Sequence, residues 1–94
     1  MVDFSHANSE KKYENQLRVG EDIATQLTGG EERIIGAMIE SHLRPGRQDL
    51  LAGKPLEYGV SITDACLGWE QTVTLLESLA GAVRGRRATI AERV

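Results

Sequence analysis

Residues 34–40, IIGAMIE, decide how this chain is read: six apolar residues run without a polar member until Glu40 closes them. An unbroken apolar run of this length, between a helical pattern and a loop, predicts a parallel strand covered on both faces. Upstream, Val2 to Ser5 reads as the inner half of another buried strand, and the polar cluster His6-Ala7-Asn8-Ser9 follows at once. A helix is predicted to start after Asn8 or Ser9, both good N-cap types, with Glu10 favourable in its first turn. Its apolar stripe falls at Tyr13, Leu17, Ile23, Ala24 and Leu27; Gly20 interrupts and weakens it, and Gly29-Gly30 ends it.

Downstream, 41–63 holds Pro45-Gly46, Gly53, Pro55 and Gly59 and shows no helical period. It reads as a long loop with room for a short hairpin around Gly53, and loops this long are uncommon unless functional or flexible. A last helix is predicted from Trp69 to Arg87, with Trp69, Val73, Leu76, Ala80 and Val83 as its core-facing stripe. Arg84, Arg86 and Arg87 read as a solvated helix end that suits the dipole, and residues 88–94 as a tail. The order strand-helix-strand-loop-helix makes an α/β chain of two βα units. A strand covered on both faces needs neighbours this sequence does not supply, and both edges of the pair stay open. A (β/α)8 barrel takes about 250 residues, so 94 residues read as a quarter of something.

Composition narrows the class. With 40% hydrophobic and 27% charged residues, nothing marks the chain as disordered. Eleven basic against fourteen acidic residues give a net charge of −3, which argues against a nucleic-acid surface. No apolar run approaches the roughly 18–20 residues needed to cross a membrane, and no secretory signal opens the chain. Cys66 is the single cysteine, so no internal disulfide can form, which fits a reducing cytoplasm.

Active sites of parallel α/β folds sit at the C-terminal ends of the strands. His6 follows the first strand, Glu40 ends the second and Asp64 lies just before the last helix. One imidazole and two carboxylates suit a divalent cation such as Mn²⁺, Fe²⁺ or Co²⁺, which accept mixed nitrogen and oxygen donors. The plainer reading makes His6 and Asp64 helix-start residues and Glu40 a solvated strand end. His42 is an alternative ligand or polar surface; Cys66 is a thiolate ligand or a small buried apolar residue. No GxSxG, Walker-type loop, GxGxxG or paired CxxC is present. A triad of Asp3, Ser5 and His6 is rejected, since near neighbours in one strand cannot form that geometry.

The stretches VDFSHANS, IIGAMIESHL and PLEYGVSITDACLGWEQT resemble, in order and at matching spacing, the C-terminal part of class I 3-deoxy-7-phosphoheptulonate (DAHP) synthases, also called phospho-2-dehydro-3-deoxyheptonate aldolases. The resemblance covers essentially all of residues 1–87. It implies a (β/α)8 TIM barrel that condenses phosphoenolpyruvate with erythrose 4-phosphate and releases phosphate, the first step of the shikimate pathway. Residues 1–30 would be the seventh βα unit and 31–87 the eighth, incomplete on their own. The family's metal is held by a cysteine, a histidine, a glutamate and an aspartate. On matching motifs these fall at His6, Glu40 and Asp64, with His6 also a candidate for moving protons. The ligand cysteine lies far upstream in the family and is absent here; Cys66 does not match it. Most phosphate-holding lysines and arginines also belong to earlier strands.

Two functions follow as expectations. The chain is part of the synthase and turns over no substrate alone, because each lost charge-assisted contact costs roughly 1.5–3 kcal/mol and whole subsites are missing. Alternatively it is a non-catalytic interaction module that docks on a full-length synthase or an N-terminal fragment. The expected partners are the two substrates in the full enzyme and a homo-oligomeric copy or complementing barrel fragment, with no nucleic acid and no membrane.

Overall fold

The computed structural model describes residues 1–93. Four elements follow in order: β1 (Val2–Asp3), α1 (Asn15–Thr28), β2 (Ala37–Met38) and α2 (Trp69–Glu92). It is a small α/β arrangement of two helices against a parallel two-stranded sheet, with Val2 beside Ala37 and Asp3 beside Met38. The ladder is brief: Val2 N–H donates to the Gly36 carbonyl and Phe4 N–H to that of Met38, both at 2.9 Å. The strand expected over residues 34–39 is therefore only two residues of ladder. Ile35 and Ala37 are exposed while Ile34 and Ile39 pack on the core, so one face is covered, not both.

The core lies between sheet and helices. Phe4, Ile23, Leu27, Leu67, Leu75 and Ala82 form it, with Phe4 and Leu67 fully buried. Gly20 is the closest approach of the two helices: a Cβ there would stand 2.4 Å from Leu75 Cδ1. The glycine that weakens α1 as an isolated helix is thus the one that lets α2 pack against it. At the end of α1, Gly30 takes φ +98°. Gly30 N–H bonds the Leu27 carbonyl at 2.9 Å and Glu31 N–H that of Gln26 at 3.0 Å, the paired closure of a helix ended by a left-handed glycine.

Four expectations need correction. Helix α1 starts at Asn15, not after Asn8 or Ser9, because Glu10 (φ 55°) and Lys11 (φ 61°) adopt left-handed backbone that no right-handed helix can pass through. The face of α2 that meets α1 carries Thr72, Leu75, Leu79 and Ala82. The expected stripe lies one residue further round, with Trp69, Leu76 and Ala80 exposed and Val73 and Val83 half-buried. Residues 88–92 continue the helix instead of forming a tail; Thr89 donates its hydroxyl to the Thr28 carbonyl at 2.8 Å, and Val94 lies outside the described residues. No hairpin ladder forms around Gly53. The Gln48 side chain holds that loop instead, donating to the Glu57 and Val60 carbonyls at 2.7 and 3.0 Å and accepting the Glu57 N–H at 2.8 Å.

The principal extents are 64 × 23 × 16 Å and the radius of gyration is 16.0 Å. A compact chain of this length would have about 12 Å, so the molecule is an elongated slab with one sheet face open. No helix among the described residues is long and apolar enough to cross a membrane.

Candidate metal centre

His6, Glu40 and Asp64 come together: one ligand atom from each lies within 4.8 Å of the others. Each arrives on a different connection. The backbone leaves β1 and turns sharply at His6, which takes φ 52°. Lys11 N–H then closes the turn by donating to the His6 carbonyl at 2.8 Å, and the buried Ser9 hydroxyl donates to the same oxygen at 3.2 Å. Glu40 follows β2 directly. Asp64 stands in the bends before α2, where the Ser61 hydroxyl accepts the Thr63 N–H at 3.1 Å.

The turn at His6 also makes one pair of the triad that the sequence argument rejected. Because the strand does not continue, Asp3 Oδ2 reaches His6 Nδ1 at 2.9 Å. The third member of a triad is still missing, since the Ser5 hydroxyl donates to Glu40 Oε1 instead of facing the imidazole. The Asp3 carboxyl is held below its ordinary range by the His6 hydrogen bond, helped by the Ser5 N–H at 2.8 Å. His6 is held above its ordinary range by the Asp3 hydrogen bond, which outweighs the opposing effect of burial, and the charges of Asp3, Glu40 and Asp64 add to it.

An ionised carboxylate only accepts hydrogen bonds, so the proton of neutral His6 sits on Nδ1, facing Asp3. The Nε2 lone pair then points at Glu40 Oε1 and Asp64 Oδ2, each 3.5 Å away. The Ser5 hydroxyl donates only to Glu40, so the three acceptors still repel one another unless a proton or a cation lies among them. The two 3.5 Å separations from Nε2 suit donors sharing one ion through bonds of about 2.0–2.2 Å. A mixed nitrogen and carboxylate set fits Mn²⁺, Fe²⁺ or Co²⁺, and the Asp3 carboxylate behind His6 is the orienting partner that metal-bound histidines usually have. The residues present fit a divalent cation.

The cleft over these groups has a volume of about 270 Å³ and is also lined by Lys11 and Arg47. His42 is exposed, outside the cluster, with its Nδ1 accepting the Leu43 N–H at 2.8 Å. Cys66 is buried beside the cleft, its thiol donating to the Asp64 carbonyl at 3.4 Å. Burial pushes that thiol above its ordinary range, so it is the small buried residue of the two readings. Sequence reasoning weighed Asp3 and Ser5 only as members of a rejected triad and passed over Gln16. Gln16 alone left a signal, as an amide between Tyr13 and Gly20 on the face that α1 buries.

Comparison with known proteins decides the relationship. Residues 1–77 match the model of the DAHP synthetase I family. The chain belongs to that family. It is 58% identical over 87 residues to the Phe-sensitive phospho-2-dehydro-3-deoxyheptonate aldolase of Escherichia coli K12, covering 93% of this chain and 25% of that protein. The tyrosine-inhibited aldolase of Schizosaccharomyces pombe is 53% identical over 91 residues, with 93% and 24% covered. The solved structure of the Francisella tularensis SCHU S4 aldolase superposes with a TM-score of 0.84 at 46% identity, covering 90% of this chain and 25% of that one. This DAHP synthetase I chain thus spans about a quarter of the length of the curated relatives it matches.

Proposed function

We propose that this chain is the seventh and eighth βα units of a (β/α)8 barrel. The complete barrel is a transferase of aromatic amino acid biosynthesis that condenses phosphoenolpyruvate with erythrose 4-phosphate to give 3-deoxy-7-phosphoheptulonate and phosphate. One observation carries the reading: His6, Glu40 and Asp64, far apart in sequence, bring ligand atoms within 4.8 Å of one another in a chain of this family, two of them just beyond the ends of β1 and β2. The open sheet face and exposed Ile35 are what a barrel wall looks like without its neighbours. A divalent cation held by His6, Glu40 and Asp64, with a cysteine from the rest of the barrel, would supply a Lewis acid that polarises the aldehyde carbonyl of erythrose 4-phosphate.

The chain's own residues have definable tasks. Asp3 fixes the His6 tautomer and leaves Nε2 facing the cleft. Ser5 orients the Glu40 carboxylate. Lys11 and Arg47 place positive charge beside the cleft, which favours anionic substrates. Binding of both substrate phosphates needs the rest of the barrel, so the 94 residues alone turn over nothing.

The test replaces the corresponding quarter of the E. coli relative with this chain and measures phosphate release from phosphoenolpyruvate. The chimera is expected to release phosphate only when erythrose 4-phosphate is present, and its His6→Ala variant to lose that activity. A folded chimera without turnover would refute the reading. So would erythrose-4-phosphate-dependent release by the isolated chain.

A further inference from the structure

We infer that Gln16 is a positioning residue that sets the Glu40 ligand; this rests on the metal reading above. Gln16 lies on α1 and is fully buried. Both ends of its amide bond one residue: Nε2–H donates to the Glu40 carbonyl at 3.0 Å, and Glu40 N–H donates to Oε1 at 2.9 Å. The amide thus takes the place of a neighbouring strand just where the β1–β2 ladder has ended. The Glu40 carbonyl also accepts the Leu67 N–H at 3.0 Å, so Gln16 and the segment entering α2 grip one peptide from two sides.

An apolar residue at position 16 would fill the space as well. It would, however, leave Glu40 N–H without a partner in the buried layer, and it would free the peptide to rotate. A rotation there swings the carboxylate that Ser5 holds on the other side. The amide is what fixes the direction from which Glu40 enters the cleft. Tuning by partners behind a metal ligand commonly changes affinity by 10–100-fold.

The experiment titrates Mn²⁺ into the chimera of the E. coli relative that carries this chain, following free Mn²⁺ by electron paramagnetic resonance and helix content by circular dichroism. Gln16→Met keeps the volume and removes both hydrogen bonds. Gln16→Asn keeps a buried amide but sets it one methylene short, and it stands in should the methionine variant fail to fold. Each is expected to bind Mn²⁺ about 10-fold more weakly with helix content retained. In a Glu40→Ala background neither substitution should weaken binding further, because Gln16 acts through Glu40. Full affinity in a folded Gln16 variant overturns the inference. An additive loss in the Glu40→Ala background does so too, since it marks a general destabilisation. If Glu40→Ala itself leaves Mn²⁺ affinity unchanged, the metal reading fails first and takes the inference with it.

Discussion

Gly20→Ala should change sign with its neighbour. In an ordinary helix interior the substitution stabilises by about 1 kcal/mol, through lost unfolded-state freedom and better helix propensity. Here the new Cβ would lie 2.4 Å from Leu75 Cδ1 and 3.4 Å from Phe4 Cε2. Carbon atoms prefer about 3.5–4.0 Å, so Leu75 must retreat by more than ~1 Å. It is only 4% exposed and has little room to do so. Overpacking of this kind costs about 1–3 kcal/mol, which outweighs the propensity gain and leaves the variant less stable by roughly 0–2 kcal/mol. Leu75→Ala alone should cost about 2–5 kcal/mol, but it empties the space the new methyl needs. In that background Gly20→Ala should stabilise by about 1 kcal/mol, giving a coupling of roughly 1–3 kcal/mol across the cycle. Urea unfolding of the four proteins by far-ultraviolet circular dichroism measures it, provided the denaturant slopes agree. An equal gain from Gly20→Ala in both backgrounds would refute the close approach of α1 and α2 at this point.

Further outcomes follow from single contacts. Arg86 is half-buried and donates to the Ile34 carbonyl at 2.8 Å and the Glu31 carbonyl at 3.3 Å. Arg86→Met should therefore cost about 1.5–3 kcal/mol, whereas Arg84→Met, on an exposed side chain, should stay within about 0.5 kcal/mol; equal effects in urea unfolding would refute the distinction. The Arg33 side chain, bonded to Glu31 through Nε at 2.8 Å, holds the Glu31 carboxyl down to about 2. What this pair contributes to stability is present above the ordinary carboxylate value of 4.5 and is lost as pH falls toward 2; carboxyl ¹³C NMR should show Glu31 returning toward 4.5 in Arg33→Ala. Cys66 is raised above its ordinary 9.0, so its contribution is complete below that value and is lost as pH rises through the folded value. Relative to Cys66→Ala, the native chain should lose stability as pH rises above 9.0, and a constant difference would contradict the buried, protonated thiol.

The parts of the fold that were legible in sequence are those set by one strong local signal. Gly29-Gly30 stopped α1, and the apolar run 34–39 gave the second strand with Glu40 at its end. The start of α1 was not legible, because the cap-type residues work in the opposite direction. Asn8 donates to the Asp3 carbonyl at 2.7 Å and Ser9 to the His6 carbonyl at 3.2 Å, so both tie the chain back to β1 instead of receiving helix N–H groups. The face of α2 was misjudged for a different reason. The helix has two apolar rows one residue apart, and the larger side chains, Trp69 and Leu76, stand on the exposed one. The packed row uses Leu75, which meets Gly20, together with the small side chains of Thr72 and Ala82. The reading of Arg86 as part of a solvated helix end fails: it is half-buried, and its backbone acceptors lie more than fifty residues away in sequence.

The candidate site was legible for a different reason: His6 and Glu40 follow strand ends, a rule that needs no knowledge of packing, and Asp64 was marked by its place just before the last helix. What sequence could not reveal is how unequally they are held. The Glu40 side chain is 21% exposed, and its peptide is fixed by Gln16 and Leu67. His6 is 49% exposed and fixed through Asp3. The Asp64 side chain is 69% exposed, and His6 is its one ion-pair partner among the described residues. Ordering an exposed side chain costs conformational freedom that a buried one has already lost on folding. On the proposed metal reading, an arriving cation would therefore meet two donors set in advance and order the third itself. That division follows from the connections: Glu40 and His6 leave paired strands directly, whereas Asp64 ends a long loop held by side chains such as Gln48. Affinity then depends most on the contacts behind Glu40 and His6, which is where Gln16, Ser5 and Asp3 stand.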